Sequence, residues 1–422
     1  MKNSSQQNAY DAIVIGGGPA GSAAATVLAQ HGRRVILFER EVFPRYHIGE
    51  SLMPYCYFSL QRLGMLEKLQ ASKFVRKHSV QFISADGKAS QPFYFFLHQD
   101  HPCSITWQVE RADFDQMLLD NAAAAGVDVR MGISVRDLLV EDGTVVGVRI
   151  RDQQGEEMEF RAPVTIDASG RDALTINRLG WRVPDPELKK IAIWTYYIGA
   201  KRDAGVDEGA TTVAYIPEKG WFWYIPLSGD RISVGVVAER DYLYRNGKDP
   251  RRIFEENIAE NVWIQDHLAT AKQVGEFRVT GDYSYRSRHV ARDGLVLAGD
   301  AFAFLDPVFS SGVHLALLSG EMAADAAHKA LALGDVRAGQ FTDYGLKLCK
   351  SIEAMRRLVY AFYDHGFRFS DLFKAYPSLR SDLTDCLIGN FEKDFDPLFT
   401  AVAEFADMPA PLDHGAPWVI DR

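Results

Sequence analysis

Positive charge, cysteine and long apolar runs are all scarce in this chain. Its 47 lysines and arginines face 56 aspartates and glutamates, which leaves a net charge of −9. That balance argues against nucleic acid or an anionic membrane as the main partner. The 4 cysteines (Cys56, Cys103, Cys349, Cys386) are widely spaced and form no CxxC pair. They suit neither a zinc site nor a disulfide framework, so a reducing cytoplasm is expected. No apolar run approaches the roughly 18 residues needed to span a bilayer, and the polar stretch 1–9 does not read as a secretory signal. Internal repeats and low-complexity segments are also missing. Over 422 residues, 47% hydrophobic and 24% charged residues bound the chain as an ordinary globular enzyme of two or three domains, or one interlocked unit.

The amino-terminal region carries a nucleotide signature, YDAIVIGGGPAGSAAATVLAQHGRRVILFER over 10–40. Ala12 to Ile15 reads as a buried strand. Gly16, Gly18 and Gly21 follow at GxGxxG spacing, then a small-residue helix over Ser22 to Gln30, then a strand over Arg34 to Phe38 that ends at Glu39. Gly16 permits the tight turn, and Gly18 lets the backbone approach a pyrophosphate drawn to the helix start. Gly21 and the alanines let helix and strand pack closely, and Glu39 can accept from ribose hydroxyls. FAD and NAD both carry ADP, so this motif alone does not separate them.

Two later segments and one arginine do. VTIDASGRD over 164–172 and GLVLAGDA over 294–301 are apolar strands that run into glycine turns, and Arg111 lies in WQVERADFD. Together they resemble the flavoprotein monooxygenase superfamily with the glutathione-reductase-type FAD fold. The resemblance implies that Asp300 holds the ribityl or pyrophosphate region of FAD and that Arg111 touches the flavin. Read without it, Arg111 is a surface ion pair with Glu110 or Asp113. No second GxGxxG occurs, so a separate NAD(P)H domain is not expected.

The fold class expected is α/β: a glutathione-reductase-type FAD-binding Rossmann domain, an inserted substrate-binding β-sheet domain and a C-terminal helical region. The division expected is 1–77, 109–185 and 286–345 for FAD, 78–108 and 186–285 for the substrate sheet, and 346–422 for a helical cap. Residues 130–166 read as a β-meander, with turns at Glu141-Asp142-Gly143 and Gln154-Gly155. Segments 78–108 and 190–290 read as strands. From Gly312 onward helical spacing dominates, and Tyr360, Phe362, Tyr363, Phe367, Phe369 and Phe373 either close a substrate pocket or pack as core.

Three further segments bring one family into view. WFWYIP (221–226) matches WxWxIP, FLDPVFSSG (304–312) matches FxxPxxSxG, and YHIGESLMP (46–54) matches a GES-type flavin strap. The set resembles the flavin-dependent halogenases over nearly the whole chain. The resemblance implies reduced FAD delivered by a separate NAD(P)H-dependent flavin reductase, O2, and chloride or bromide. It implies a flavin hydroperoxide that yields hypohalous acid, and a lysine that receives it. Lys77 in SKFVRKHSVQF matches that lysine, with Lys73 as competitor and a solvated basic face as the plain alternative.

The family also implies a cofactor set of Gly16, Gly18, Ala20, Gly21, Glu39, Arg40, Ser51, Arg111, Asp300, Pro307 and Gly312. Halide falls to Ser311 and Gly312, at a helix start where free N–H groups attract anions. Trp221, Trp223, Ile225 and Pro226 become a partition between flavin and substrate. Tryptophan halogenases carry a glutamate where this chain has Phe309, and DPVFSSGVHLAL looks like the branch acting on phenols or pyrroles, free or bound to an acyl carrier protein. A flavin monooxygenase or reductase on the same scaffold, or a flavin-binding protein without catalysis, are the competing expectations. Monomer and dimer both stay open.

Overall fold

The computed structural model describes residues 10–218, 220–281, 283–412 and 415–419; the stretch 1–9, read above for a signal, lies outside them. Ala12–Ile15 is a fully buried strand within a six-stranded sheet. It pairs in parallel with Val35–Glu39 on one side and Val164–Asp167 on the other. Asp128–Met131 and Leu295–Leu297 extend the sheet in parallel, and Ala291–Arg292 closes one edge antiparallel. Helices cover such a sheet on both faces, which is why its inner strands read as continuous apolar runs. Segments far apart in the chain thus build one layer. Helix Ser311–Leu333 crosses helix Pro19–Gln30 at close range, because a side chain at Gly320 would meet the Ala20 carbonyl at 2.3 Å.

The meander is Ser134–Glu141, Thr144–Arg151 and Glu157–Arg161. Its first turn has Asp142 at φ 47° and Gly143 at φ 81°, the left-handed pair that a two-residue hairpin requires.

A second sheet has seven strands in the order Lys272–Gly281, Lys190–Ile198, Arg231–Glu239, Trp221–Pro226, Thr211–Tyr215, Ser79–Ile83 and Phe93–Tyr94. Only the pairing of Thr211–Tyr215 with Ser79–Ile83 is parallel. The two-residue alternation of a strand sends Trp221, Trp223 and Ile225 into the main core, and Phe222 and Tyr224 into a second core on the opposite face.

The expectation of strands throughout 78–108 and 190–290 needs correction. Thr106–Gln108 pairs with Val75–Lys77, outside the seven-stranded sheet. Tyr285–Ser287 joins Arg182–Pro184 and Ala303–Phe304 in a separate small sheet. Pro250–Ile258 and Val262–Leu268 are helices, each started by a capping side chain: Asp249 accepts from the Arg252 N–H and Asn261 from the Ile264 N–H. They bury Ile253, Phe254 and Ile264 against the outer face of the sheet.

After Ser311–Leu333 come helices Thr342–Tyr363, Phe369–Ala375, Leu379–Ile388 and Asp396–Val402. The expected boundary at 345/346 falls inside Thr342–Tyr363. Among the described residues no helix is long and apolar enough to cross a membrane.

Candidate active site

A cavity of about 340 Å³ opens where Ala12–Ile15, Val35–Glu39 and Val164–Asp167 end, and Gly16, Glu39 and Ala168 line it. Ligands of parallel α/β sheets gather at such carboxyl ends. Gly16 adopts φ 98°, and a Cβ there would lie 2.4 Å from the Ala168 carbonyl oxygen. A Cβ on Gly21 would lie 1.9 Å from the Gly16 carbonyl, so Gly21 serves packing and does not line the cavity. Gly18 borders open space, with nothing nearer than the Arg45 guanidinium at 3.7 Å. It caps helix Pro19–Gln30 without a side-chain bond, which leaves the first amides of the helix for a ligand. Glu39 is buried and takes the Gly17 N–H at 2.7 Å, and Arg40 pairs with Asp172 on the rim. These features fit the pyrophosphate and ribose of an FAD.

Arg111 is not the surface ion pair that the bland reading offered. It is buried, forks onto Asp115 at 2.8 and 3.0 Å, and donates to the Ile48 carbonyl at 2.6 Å. It thereby holds the 46–51 strap over the cavity. Arg45 reaches the same Asp115 carboxylate at 2.8 Å, and these cations keep Asp115 below its ordinary pKa despite burial. Asp300 faces the cavity, and burial raises its carboxyl to about 6.

Trp221, Trp223 and Ile225 line the same cavity, whereas Pro226, on the alternate side of the strand, does not. The Trp221 indole donates to the Tyr363 hydroxyl at 2.9 Å, and that hydroxyl reaches Asp306 at 3.1 Å. Burial raises Asp306 to about 6. The Trp223 indole donates to Ser233 at 3.1 Å. Its ring lies where a side chain on Gly235 would be, 2.2 Å from an added Cβ. Pro307, Ser310 and Gly312 also line the cavity, but Ser311 does not. Ser310 sits at φ 57° before the helix that begins at Ser311.

Lys77 lies outside this cavity, in a chamber of about 30 Å³. Thr211, Val308 and Ser310 line both spaces, so they, and not the tryptophans, are where the two meet. The Lys77 ammonium is buried and donates to Ser51 Oγ at 2.8 Å and to the Leu52 carbonyl at 3.1 Å. Ser51 exchanges a further bond with Thr211 at 2.8 Å. No carboxylate pairs with Lys77 among the described residues, and burial lowers its pKa to about 7. Lys73, by contrast, is exposed and pairs with Asp113 at 3.0 Å, a surface contact of little energetic weight. Phe309 forms part of the Lys77 chamber and meets Phe362 edge-on.

The family model described as "Tryptophan halogenase" matches residues 97–374, and one described as "FAD dependent oxidoreductase" matches 11–177. The chain belongs to the flavin-dependent halogenases. The halogenase is 36% identical over 332 residues to the 1H-pyrrole-2-carbonyl peptidyl-carrier-protein brominase of Pseudoalteromonas luteoviolacea, covering 78% of this chain and 79% of that one. It is 30% identical over 407 residues to the corresponding chlorinase of Pseudomonas fluorescens, covering 90% and 89%. The solved structure of the flavin-dependent brominase Bmp2 superposes with a TM-score of 0.84 at 30% identity, over 94% of the halogenase and 98% of the brominase. FAD and a halide, chloride or bromide, are accordingly its cofactor and co-substrate.

Sequence reasoning missed several residues that shape the halogenase cavity. Thr211 sits in a plain strand segment that carries no local signal, and Asp306 lies inside FLDPVFSSG at a position the motif leaves open. Gly235 did carry one: a glycine inside the strand pattern RISVGVVAE marks a close approach. Glu50 lay within the quoted strap, but its burial was not legible there.

Proposed function

We propose that this halogenase installs chlorine or bromine on a pyrrole or phenol presented by a carrier protein, with Lys77 receiving hypohalous acid. When bound, reduced FAD supplies with O2 the oxidising power for that electrophile. Gly16, Gly18, Ala20, Glu39, Arg40, Ser51, Arg111, Asp300, Pro307 and Gly312 would hold the cofactor, and Gly21 would let the helix approach it. The amides of Ser311 and Gly312 would attract halide at the start of a 23-residue helix. Trp221, Trp223 and Ile225 would wall the flavin cavity against the organic ring, with Pro226 bracing their strand and Thr211, Val308 and Ser310 standing at the junction with the Lys77 chamber.

One observation carries this reading: a buried lysine with no carboxylate partner among the described residues closes a chamber of about 30 Å³ beside the flavin cavity. That volume suits a species of about one or two water sizes and excludes an aromatic ring. An ammonium there can donate to hypohalous acid, and with a pKa near 7 a fraction is neutral and nucleophilic. The pyrrole-carrier relatives support a tethered substrate, and Phe309 in the Lys77 chamber supports a ring activated enough to need no carboxylate beside it. A separate NAD(P)H-dependent flavin reductase is proposed because the chain has one GxGxxG only. A reducing cytoplasm is proposed from the wide spacing of the four cysteines and their lack of a CxxC pair.

The test supplies flavin reductase, NADH, FAD and chloride or bromide. Carrier-bound pyrroles, free pyrroles, phenols and indoles are screened by isotope pattern in mass spectrometry. Lys77→Ala is expected to abolish halogenation while leaving FAD binding nearly intact. Halogenation by that variant would reject Lys77, and hydroxylated product without a halide requirement would reject the halogenation reading.

A further inference from the structure

Glu50 is a buried carboxyl that none of the roles above uses. It lies in the strap beside Ser51, lines the cavity, and is only 4% exposed. Its Oε1 accepts from the Tyr196 hydroxyl at 2.8 Å, and Tyr46 lies 3.1 Å beyond, itself accepting from the Trp194 indole at 2.6 Å. Its Oε2 makes no hydrogen bond in the structure.

The charged and titratable groups around Glu50 do not neutralise it. Arg111 is committed to Asp115 and the Ile48 carbonyl. Glu110 is bonded to Ser228. Burial pushes His47 down to about 3, so it is neutral. Arg278 and Arg231 stack over the Tyr46 and Tyr196 rings. Ser233 accepts from the Trp223 indole and keeps its own proton to donate, which favours the Glu50 carboxylate but is outweighed by burial. Burial dominates and raises Glu50 to about 7. A buried carboxyl without a cation keeps its proton, because ionisation there is costly.

Halogenation takes up a proton. In balance, arene C–H, halide, O2, reduced FAD (FADH2) and one H⁺ give the aryl halide, oxidised FAD and two waters. Halide bonds to one oxygen as the O–O bond breaks, and the oxygen left behind departs as water only after gaining a proton. We propose that Glu50 is the acid that delivers this proton from Oε2, and that Tyr196 is the positioning residue that orients it. Glu50 is left as a carboxylate accepting from Tyr196, and solvent reprotonates it through the mouth of the cavity. The assignment rests on the halogenase chemistry above.

Glu50→Gln keeps the shape and the bond from Tyr196 but carries no acid proton. Difference infrared spectra should show a carboxylic-acid carbonyl band in the wild type at pH 6 that is absent in the variant. FAD affinity should stay within about threefold. Halogenated product per O2 consumed should fall by about 100-fold, the usual worth of a general acid, with hydrogen peroxide in its place. If Glu50→Gln does not fold, Tyr196→Phe serves instead. It removes the bond that favours the carboxylate, so the band and the pH profile of coupling should shift to higher pH with FAD affinity unchanged. Wild-type coupling in Glu50→Gln, no acid band at pH 6, or lost FAD binding with normal coupling on saturation would overturn the proposal. A wild type that halogenates nothing would instead overturn the functional reading.

Discussion

Replacing Lys77 by methionine should make the protein more stable and inactive at once. Methionine matches the volume of the lysine stem and carries no charge. In the fold, burial lowers the Lys77 pKa from its ordinary 10.5 to about 7. Between those values the unfolded chain binds more protons than the native one, so this group's contribution to stability rises with pH across that window and is flat below it. At about 1.4 kcal/mol per pH unit, the ammonium costs the native state on the order of 4 kcal/mol at pH 7 and about 2 at pH 9. Against this, the substitution strips the Leu52 carbonyl and Ser51 of a donor, a loss of about 1–2 kcal/mol in a buried site. The net expectation at pH 7 is a gain of about 2 kcal/mol. Urea unfolding of both proteins from pH 6 to pH 9 reads it directly. The wild type should gain about 2–3 kcal/mol relative to Lys77→Met across that range. Parallel pH profiles, or a variant less stable at every pH, would refute the claim that Lys77 is a destabilising buried cation kept for chemistry.

Other expectations follow from the same geometry. Gly235→Val drives a side chain into the Trp223 ring, so it should cost about 1–3 kcal/mol in thermal unfolding and weaken FAD fluorescence quenching. Tyr363→Phe leaves the Trp221 indole N–H without its acceptor, so stability should fall by about 1–3 kcal/mol, read by denaturant midpoint. Arg111→Met leaves Asp115 with Arg45 alone and frees the strap; a loss of about 3–5 kcal/mol and a faster FAD off-rate in stopped flow are expected. Unchanged values would show that these contacts do not hold the cavity.

Local rules carried the nucleotide end of the molecule. Ala12–Ile15, the glycines and Glu39 are legible because strand, turn and helix there follow one another within a short span, and Gly16 and Gly21 answer steric demands that no other residue meets. The alternation of Trp221 and Trp223 against Phe222 and Tyr224 was equally local. The helices Pro250–Ile258 and Val262–Leu268 were missed because aromatic and apolar residues within 190–290 read as strand, while the caps at Asp249 and Asn261 went unweighed.

The chain alone determined the strand, glycine turn and helix over Ala12–Gln30 that make a dinucleotide-type cradle at Gly16–Gly21, since spacing and sterics are written in sequence order. Only the tertiary structure separates the environments of Lys77 and Lys73: one is buried and the other exposed, because strands Val75–Lys77 and Thr106–Gln108 close over one lysine and not the other. It likewise decided that Arg111 faces inward, that Pro226 stands off the cavity, and that Glu50 is buried with one oxygen unbonded among the described residues. The physical reason is the same in each case. A pKa, a hydrogen bond or a shared wall depends on groups brought together from distant parts of the chain, and no local spacing encodes their distance.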